Sequence, residues 1–524
     1  MIEIMAASPD SRQCPFVVSI NWHQSCLNTD TMTQQLPEFI EWRARDLAAR
    51  VNSQRLTAVQ VTQAALDRIA WANPLLNAFI DIDHASALKQ AAAVDLKIQQ
   101  GARLPLAGVP FSVKDNLWVA GRPATYGSKL YADHIAPRDS WSVEQLKKQG
   151  AICIGITNTP EFACKGATEN PLHGITRNPW NLNLTPGGSS GGAVAGVAAG
   201  LVPVALGTDA GGSIRRPAAH TGLVGFKCTL GLIPNPWGFP DPSHDLSAIG
   251  VAARDVQDCA LMLDALVEHH PNDPLSHPLP MAMVAPEPFT DALNAQPDRT
   301  LRIGFTMDLG CGFAIDDDVA LAIESAVQQL RRAGWSIDHS HPAWPPKTNE
   351  YPLLAQQQAG LAALFGQAYQ EAPEIFDRDI AVQIEAGQKA TGSMIAGLSL
   401  QRNKLREAFN TYFNSYDLLL CPTVPVEPWG CEGPPPSVIG GRPATPRGHA
   451  PFTPLFNYCD APALSVPCGF GKNGLPLGLQ IVGPRYGDLR VLQFGFEVQK
   501  ILNLDMHSPM ILAQTQQDYA QASR

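Results

Sequence analysis

The 524-residue chain is long enough for two or three average domains or one large one, and 45% apolar against 16% charged residues excludes wholesale disorder. A formal charge of −10, with no long run of Lys or Arg, argues against nucleic-acid and anionic-membrane partners and for a small, neutral or weakly charged substrate. Eleven cysteines, scattered and without CxxC or Cys/His metal spacing, fit reduced thiols in a cytoplasmic protein and give no metal site.

Residues 1–31 lack periodicity and precede a possible restart at Met32, so they are expected to form a flexible or non-native extension. They hold no signal-peptide pattern. Helical periodicity starts near Phe39. Thr57 and Gln60 form a capping box ahead of Val61, Ala64, Ala65 and Ile69, and Pro74 is expected to end that helix. Gly108–Asn116 reads as a strand that delivers Lys114 at its end. A helix over 140–150 and a strand over 151–156 follow. Ala193–Gly207 is too short to span a bilayer and reads as a buried helix running into a strand. Further on come a strand at 301–305, a helix bearing Val319, Ile323, Val327 and Leu330, and a strand near 335–337. Strands at 463–466 and 477–482 precede a closing helix at 488–502. The proline-rich stretches 340–353 and 422–448 are expected to be surface connections. The alternation of helix and strand implies an α/β fold built on one sheet, with no two-domain boundary.

Residues 185–217 carry the chemistry. Two Gly/Ser clusters, Gly187-Gly188-Ser189-Ser190-Gly191 and Gly211-Gly212-Ser213, are separated by small residues and a short strand. Glycine allows close approach of backbone to a ligand, so the pair suggests a site of main-chain N–H groups and hydroxyls. A phosphate-binding loop would need a lysine after the glycines, and none follows either pair. The first cluster also fits the Gly-x-Ser-x-Gly elbow, with Ser189 as nucleophile. That fold wants an HGGG oxyanion loop, which is absent, and it leaves the second cluster unexplained.

Together with Val113-Lys114-Asp115-Asn116, Thr125–Ser128, Thr176–Asn181, Gly207–Arg215 and Gly225-Phe226-Lys227, these clusters resemble the amidase signature family of serine hydrolases. The resemblance runs from about residue 56 to 500. It implies a single α/β/α domain over 32–524 with a central mixed, twisted sheet covered by helices. Residues 105–255 would hold the core motifs, about 285–410 a variable segment that shapes the substrate pocket, and 411–505 the closing sheet and helix. It implies a triad in which Ser213 is the nucleophile, Ser189, after a cis peptide, the bridge, and Lys114 the base. A lysine serves as base only when neutral, and the apolar run Val109, Phe111, Val113 suits the burial that requires. Backbone N–H groups of Ala210, Gly211, Gly212 and Ser213 are expected to form the oxyanion hole. Asp209 and Arg215 are expected to hold the nucleophile loop by ionic hydrogen bonds, with Thr208 and Ser190 as supporting hydroxyls. Ile156 stands where many relatives carry a lysine, outside the triad. No cofactor is implied. The expected partner is a small-molecule amide, with a homodimer possible. The family also includes the glutaminase component of the tRNA-dependent amidotransferase. Its acidic glutamine-recognition segment has no counterpart in 422–448, which favours a stand-alone amidase.

Overall fold

The computed structural model describes residues 43–279, 284–350 and 354–513; the expected 1–31 extension and Met32 lie outside the described residues. Eleven strands form one mixed sheet. In chain order they are β1 (Phe79–Ile82), β2 (Pro110–Lys114), β3 (Ile152–Thr157), β4 (Val204–Asp209), β5 (Val224–Lys227), β6 (Ala248–Ala253), β7 (Ile303–Phe305), β8 (Ile337–His339), β9 (Leu418–Pro422), β10 (Ala463–Phe470) and β11 (Pro476–Val482). Their spatial order is β1-β3-β2-β4-β6-β5-β10-β11-β9-β7-β8. β2 runs parallel to both β3 and β4, and β7 runs parallel to both β8 and β9; the other pairs are antiparallel.

Strands covered on both faces need apolar residues at every position rather than alternation. Every residue of β2, β3, β4 and β6 is buried. β2 and β4 pair through Val113 and Leu206, so their carboxyl ends, Lys114 and Thr208-Asp209, finish side by side. Open α/β sheets place their sites at such strand ends.

The helix Ala58–Leu76 begins at the expected capping box: Gln60 N donates to Thr57 Oγ1 at 3.0 Å and Thr57 N to Gln60 Oε1 at 2.9 Å. It does not stop at Pro74. The proline removes one backbone bond in the last turn, and buried Leu76 with Asn77 as a left-handed cap carries the helix through it. The helix Gly191–Ala198 is buried throughout. A Cβ built on Gly192 would stand 2.5 Å from Asn158 N, so glycine alone lets this helix lie against the strand ends.

The stretch 422–448 is only partly the surface connection expected. Residues 421–429 are buried, because Val426 and Trp429 pack with Ala167 and Ile439 in a small cluster of their own. Helices Leu354–Glu371, Arg378–Gln388 and Gly392–Tyr412 fill the variable segment. Phe365, from the first of them, stacks on Phe162 at 3.8 Å and 9°, tying this layer to the loops after β3. Among the described residues, no helix is long and apolar enough to cross a membrane.

Candidate active site

Lys114 ends β2 with no exposed surface. Its Nζ lies 2.7 Å from Ser189 Oγ and 3.0 Å from Thr208 Oγ1. Asn116 Nδ2 donates to the same Thr208 hydroxyl at 2.9 Å. Burial pushes the ammonium down to about 7, with the charge of Arg216 acting in the same direction and Asp209, Cys164 and Asp241 opposing. Lys114 is thus partly neutral at neutral pH.

The first Gly/Ser cluster reaches this lysine through Ser189. The peptide between Gly188 and Ser189 is cis. Thr159 Oγ1 donates to Ser189 O at 3.1 Å and Thr168 Oγ1 to Gly187 O at 2.9 Å, fixing the first loop. Ser190 N donates to Ser213 O at 3.0 Å, which joins the two loops, and Ser190 Oγ donates to Thr208 O at 3.3 Å. The first loop thus gives Lys114 its hydroxyl partner, Ser189, and the next residue holds Ser213 to that loop through the backbone.

Asp209 and Arg215 form a fully buried ion pair, with Arg215 Nη2 to Asp209 Oδ1 at 2.8 Å and Nε to Oδ2 at 3.0 Å. Burial alone would raise the Asp209 carboxyl. The Arg215 charge and hydrogen bonds prevail and hold it well below the usual carboxylate range. Asp209 also accepts from Gly212 N at 2.7 Å and Ile214 N at 3.2 Å, so the pair clamps the Ser213 loop. Arg215 goes on to Gln480 Oε1, Asn457 Oδ1 and Thr453 O at 2.7, 2.6 and 3.0 Å. Arg215→Met leaves a buried carboxylate without its cation and is expected to cost about 3–5 kcal/mol of stability in urea unfolding. Breaking the exposed Lys148–Glu144 pair, at 2.9 Å, is expected to cost less than about 1 kcal/mol.

The Asp209 bond also changes the expected oxyanion hole. Gly212 N–H is already engaged with the carboxylate, leaving Ala210, Gly211 and Ser213 as its candidate donors. Ala210, Gly211 and Ser213 line a cavity of about 60 Å³ together with Cys164, Lys165, Arg216, Leu246, Arg447, Pro454 and Tyr458. Ser213 keeps 7% of its surface, whereas Ser189 keeps none. A second cavity of about 320 Å³ is bordered by Asn116, Thr208, Asp241, Asp245 and Asp273.

Of the residues drawn from the sequence, the structure gathers Lys114, Ser189, Ser190, Thr208, Asp209, Ser213 and Arg215 into one site. It gives Asn116, the last residue of the Lys114 motif, a role at the Thr208 hydroxyl, and adds Thr453, Asn457 and Gln480 as holders of the loops, which the sequence does not single out. These are single polar residues in apolar or irregular runs, and only the tertiary fold brings them to the site. His220 and His449 are buried and held neutral. Burial first and then the Arg216 charge lower His220 to about 3 and His449 well below its usual range. Both rings pack on Trp429, at 5.7 and 4.9 Å, while Ser189 Oγ faces Lys114. A histidine-assisted Ser189 elbow finds no support in this arrangement.

A sequence model of the Amidase family matches residues 60–492. The chain belongs to the amidase signature family. It is 33% identical over 493 residues to the A subunit of glutamyl-tRNA(Gln) amidotransferase from Azoarcus sp. (strain BH72), covering 88% of this chain and 98% of that one. Among solved structures it is similar to a bacterial aryl acylamidase of the same family, with TM-score 0.83 and 29% identity over 90% of this chain and 99% of that one. It is also similar to 6-aminohexanoate cyclic dimer hydrolase complexed with substrate, with TM-score 0.80 and 27% identity over 90% and 100%. This amidase is therefore a hydrolase of amide C–N bonds on the α/β fold expected from its sequence.

Proposed function

We propose that this amidase cleaves a carboxamide through an acyl-enzyme on Ser213. The observation that carries the reading is the 2.7 Å contact between Ser189 Oγ and the fully enclosed, partly neutral Lys114. Neutral Lys114 takes a proton from Ser189 as Ser189 takes one from Ser213. Ser213 Oγ forms a bond to the amide carbon. The oxyanion rests on N–H groups of Ala210, Gly211 and Ser213, with Gly212 positioned by Asp209. Ser189 then returns the proton to the departing nitrogen, the C–N bond breaks, and water releases the acid by the reverse relay. Leu354 and Gln357 reach the Ser213 cavity from the segment 285–410, in keeping with a substrate-shaping role for it.

For the finer activity, the relatives reverse the order drawn from the sequence. Similarity to the amidotransferase A subunits favours a glutaminase-type component that passes ammonia to a partner over a stand-alone amidase. One assay separates the two. The purified chain is given glutamine, a panel of primary amides and an anilide, and ammonia or amine release is measured. Glutamine as the sole substrate, with turnover at least tenfold below that of a free amidase, is expected of a component that needs its partner. Turnover of the other amides at kcat of roughly 1–10³ s⁻¹ would establish the stand-alone enzyme.

A further inference from the structure

The surroundings of Lys114 favour an amine over an ammonium. A protonated lysine carries three N–H donors and no acceptor, so a buried one needs a full set of acceptors or a carboxylate. Among the described residues, Nζ meets two hydroxyl oxygens, Ser189 Oγ at 2.7 Å and Thr208 Oγ1 at 3.0 Å, and no carboxylate. The nearby carboxylates are engaged elsewhere. Asp115 accepts from Thr125 N at 2.7 Å, Gly127 N at 3.0 Å and the Thr125 hydroxyl. Asp209 is paired with Arg215, and Asp241 accepts from Ser243 N at 2.9 Å. Asp209, Asp241 and Cys164 favour the charged lysine from a distance, and Arg216 opposes it.

The chain turns tightly after β2. Asn116 N and Leu117 N both donate to Lys114 O, at 2.7 and 2.9 Å. The turn leaves the Asn116 side chain beside β4, where its Nδ2 donates to Thr208 Oγ1 at 2.9 Å. One hydroxyl oxygen thus faces two donors, an amide N–H and the lysine. An oxygen that already accepts one hydrogen bond has less electron density for the next, and its own O–H becomes a better donor. The amide therefore makes Thr208 a poor partner for an ammonium and a good one for a neutral amine. Bonding that favours the neutral form draws a lysine's proton off at lower pH.

We infer that Asn116 is a positioning residue for the base, whose amide N–H acts through the Thr208 hydroxyl to favour neutral Lys114, ready to accept the Ser189 proton. The kinetic consequence rests on the proposed relay; the effect on the lysine's own proton does not.

Two variants test it. Asn116 is half-buried and borders the second cavity, so both are expected to fold. Asn116→Asp replaces the donor by an anionic acceptor one hydroxyl away from Nζ, and Asn116→Leu removes the donor alone. The kinetic readout is the rate at which a fluorophosphonate labels Ser213 across the pH range, which needs no knowledge of the substrate. The acid limb, at about 7 in the wild type, should move up by about 1–3 pH units in Asn116→Asp, the effect of a nearby opposite charge, and by about 0.5–1 in Asn116→Leu, the worth of one hydrogen bond. The rate lost at neutral pH should return as pH rises. A merely structural residue would lower the rate at every pH and leave the limb in place.

The second readout sees the lysine without catalysis. A lysine whose proton is lost more easily in the folded chain makes stability rise with pH up to its unfolded value of about 10.4. Raising the folded value shortens that window. The gain in urea-melt stability from about pH 7 to about pH 10 should therefore shrink in Asn116→Asp, and the same substitution in a Lys114→Met background should leave the pH profile unchanged. A limb that stays in place while labelling falls at all pH, or a stability gain that Asn116→Asp leaves intact, would overturn the inference. A smaller stability gain in Asn116→Asp, with no labelling of Ser213 in the wild type, would uphold it and overturn the hydrolytic reading instead.

Discussion

Ser213→Ala is expected to lower kcat by about 10⁴–10⁶-fold while the chain stays folded, since loss of a serine nucleophile removes the covalent route entirely. A fluorophosphonate or sulfonyl fluoride should add its mass to one peptide, the one containing Ser213, and should fail to label the variant. Exposure and partners make this the stronger choice of the two serines. Ser213 lines the cavity beside Ala210 and Gly211, whereas Ser189 is wholly enclosed and hydrogen-bonded to Lys114. A nucleophile must reach the carbonyl carbon; a relay must not. Ser189→Ala should therefore keep Ser213 labelling, slowed by about 10²–10⁴-fold, the range expected when proton transfer is lost. Label on Ser189, or undiminished reaction in Ser213→Ala, would transfer the nucleophile's role to the first cluster.

Much of this site is legible in the sequence because it is local. Ser189 and Ser213 sit in glycine-rich turns whose composition is unusual on its own, and Lys114 follows an apolar run that only a buried strand explains. The partnerships are less legible. Asn457 and Gln480 reach Asp209 and Arg215 across more than two hundred residues, and neither sits in a distinctive pattern. The engagement of Gly212 N–H by Asp209 depends on the course of a single turn, so composition suggests four equivalent candidate donors where one is already engaged. The same division runs through the elements. The closing helix Asp488–Leu502 has a clear amphipathic period and matches its expected bounds. The strand Ala248–Ala253 escapes a pattern reading, since a strand buried on both faces shows no alternation and its alanines and glycine carry little β preference. The buried half of the proline-rich stretch looks like surface because composition reports turns, not what Val426 and Trp429 pack against.

Lys114 carries the other large expectation, and two measurements on it bear on the same proton. In the wild-type enzyme, kcat/KM should climb tenfold per pH unit below about 7 and level off above it, because only the neutral amine can accept the Ser189 proton. Lys114→Met should lose about 10²–10⁴-fold in kcat, and its residual rate should lack that acid limb. Stability should move the opposite way. In the unfolded chain a lysine titrates near 10.4, so between about 7 and that value the unfolded state binds more protons than the folded one, and wild-type stability rises with pH across this window. Enclosing Lys114 costs most at and below pH 7, by about 4 kcal/mol at pH 7, and nothing once both states are neutral. The contacts with Ser189 and Thr208 offset part of this, at roughly 1 kcal/mol each. Lys114→Met should thus be more stable than wild type by about 2 kcal/mol at pH 7, with the gain shrinking and then reversing as pH approaches 10, in urea melts followed by circular dichroism. A stability difference that does not change with pH would mean that the lysine keeps its proton in the folded enzyme. The acid limb of the rate profile would then have to come from another group, and the relay through Ser189 would lose its base.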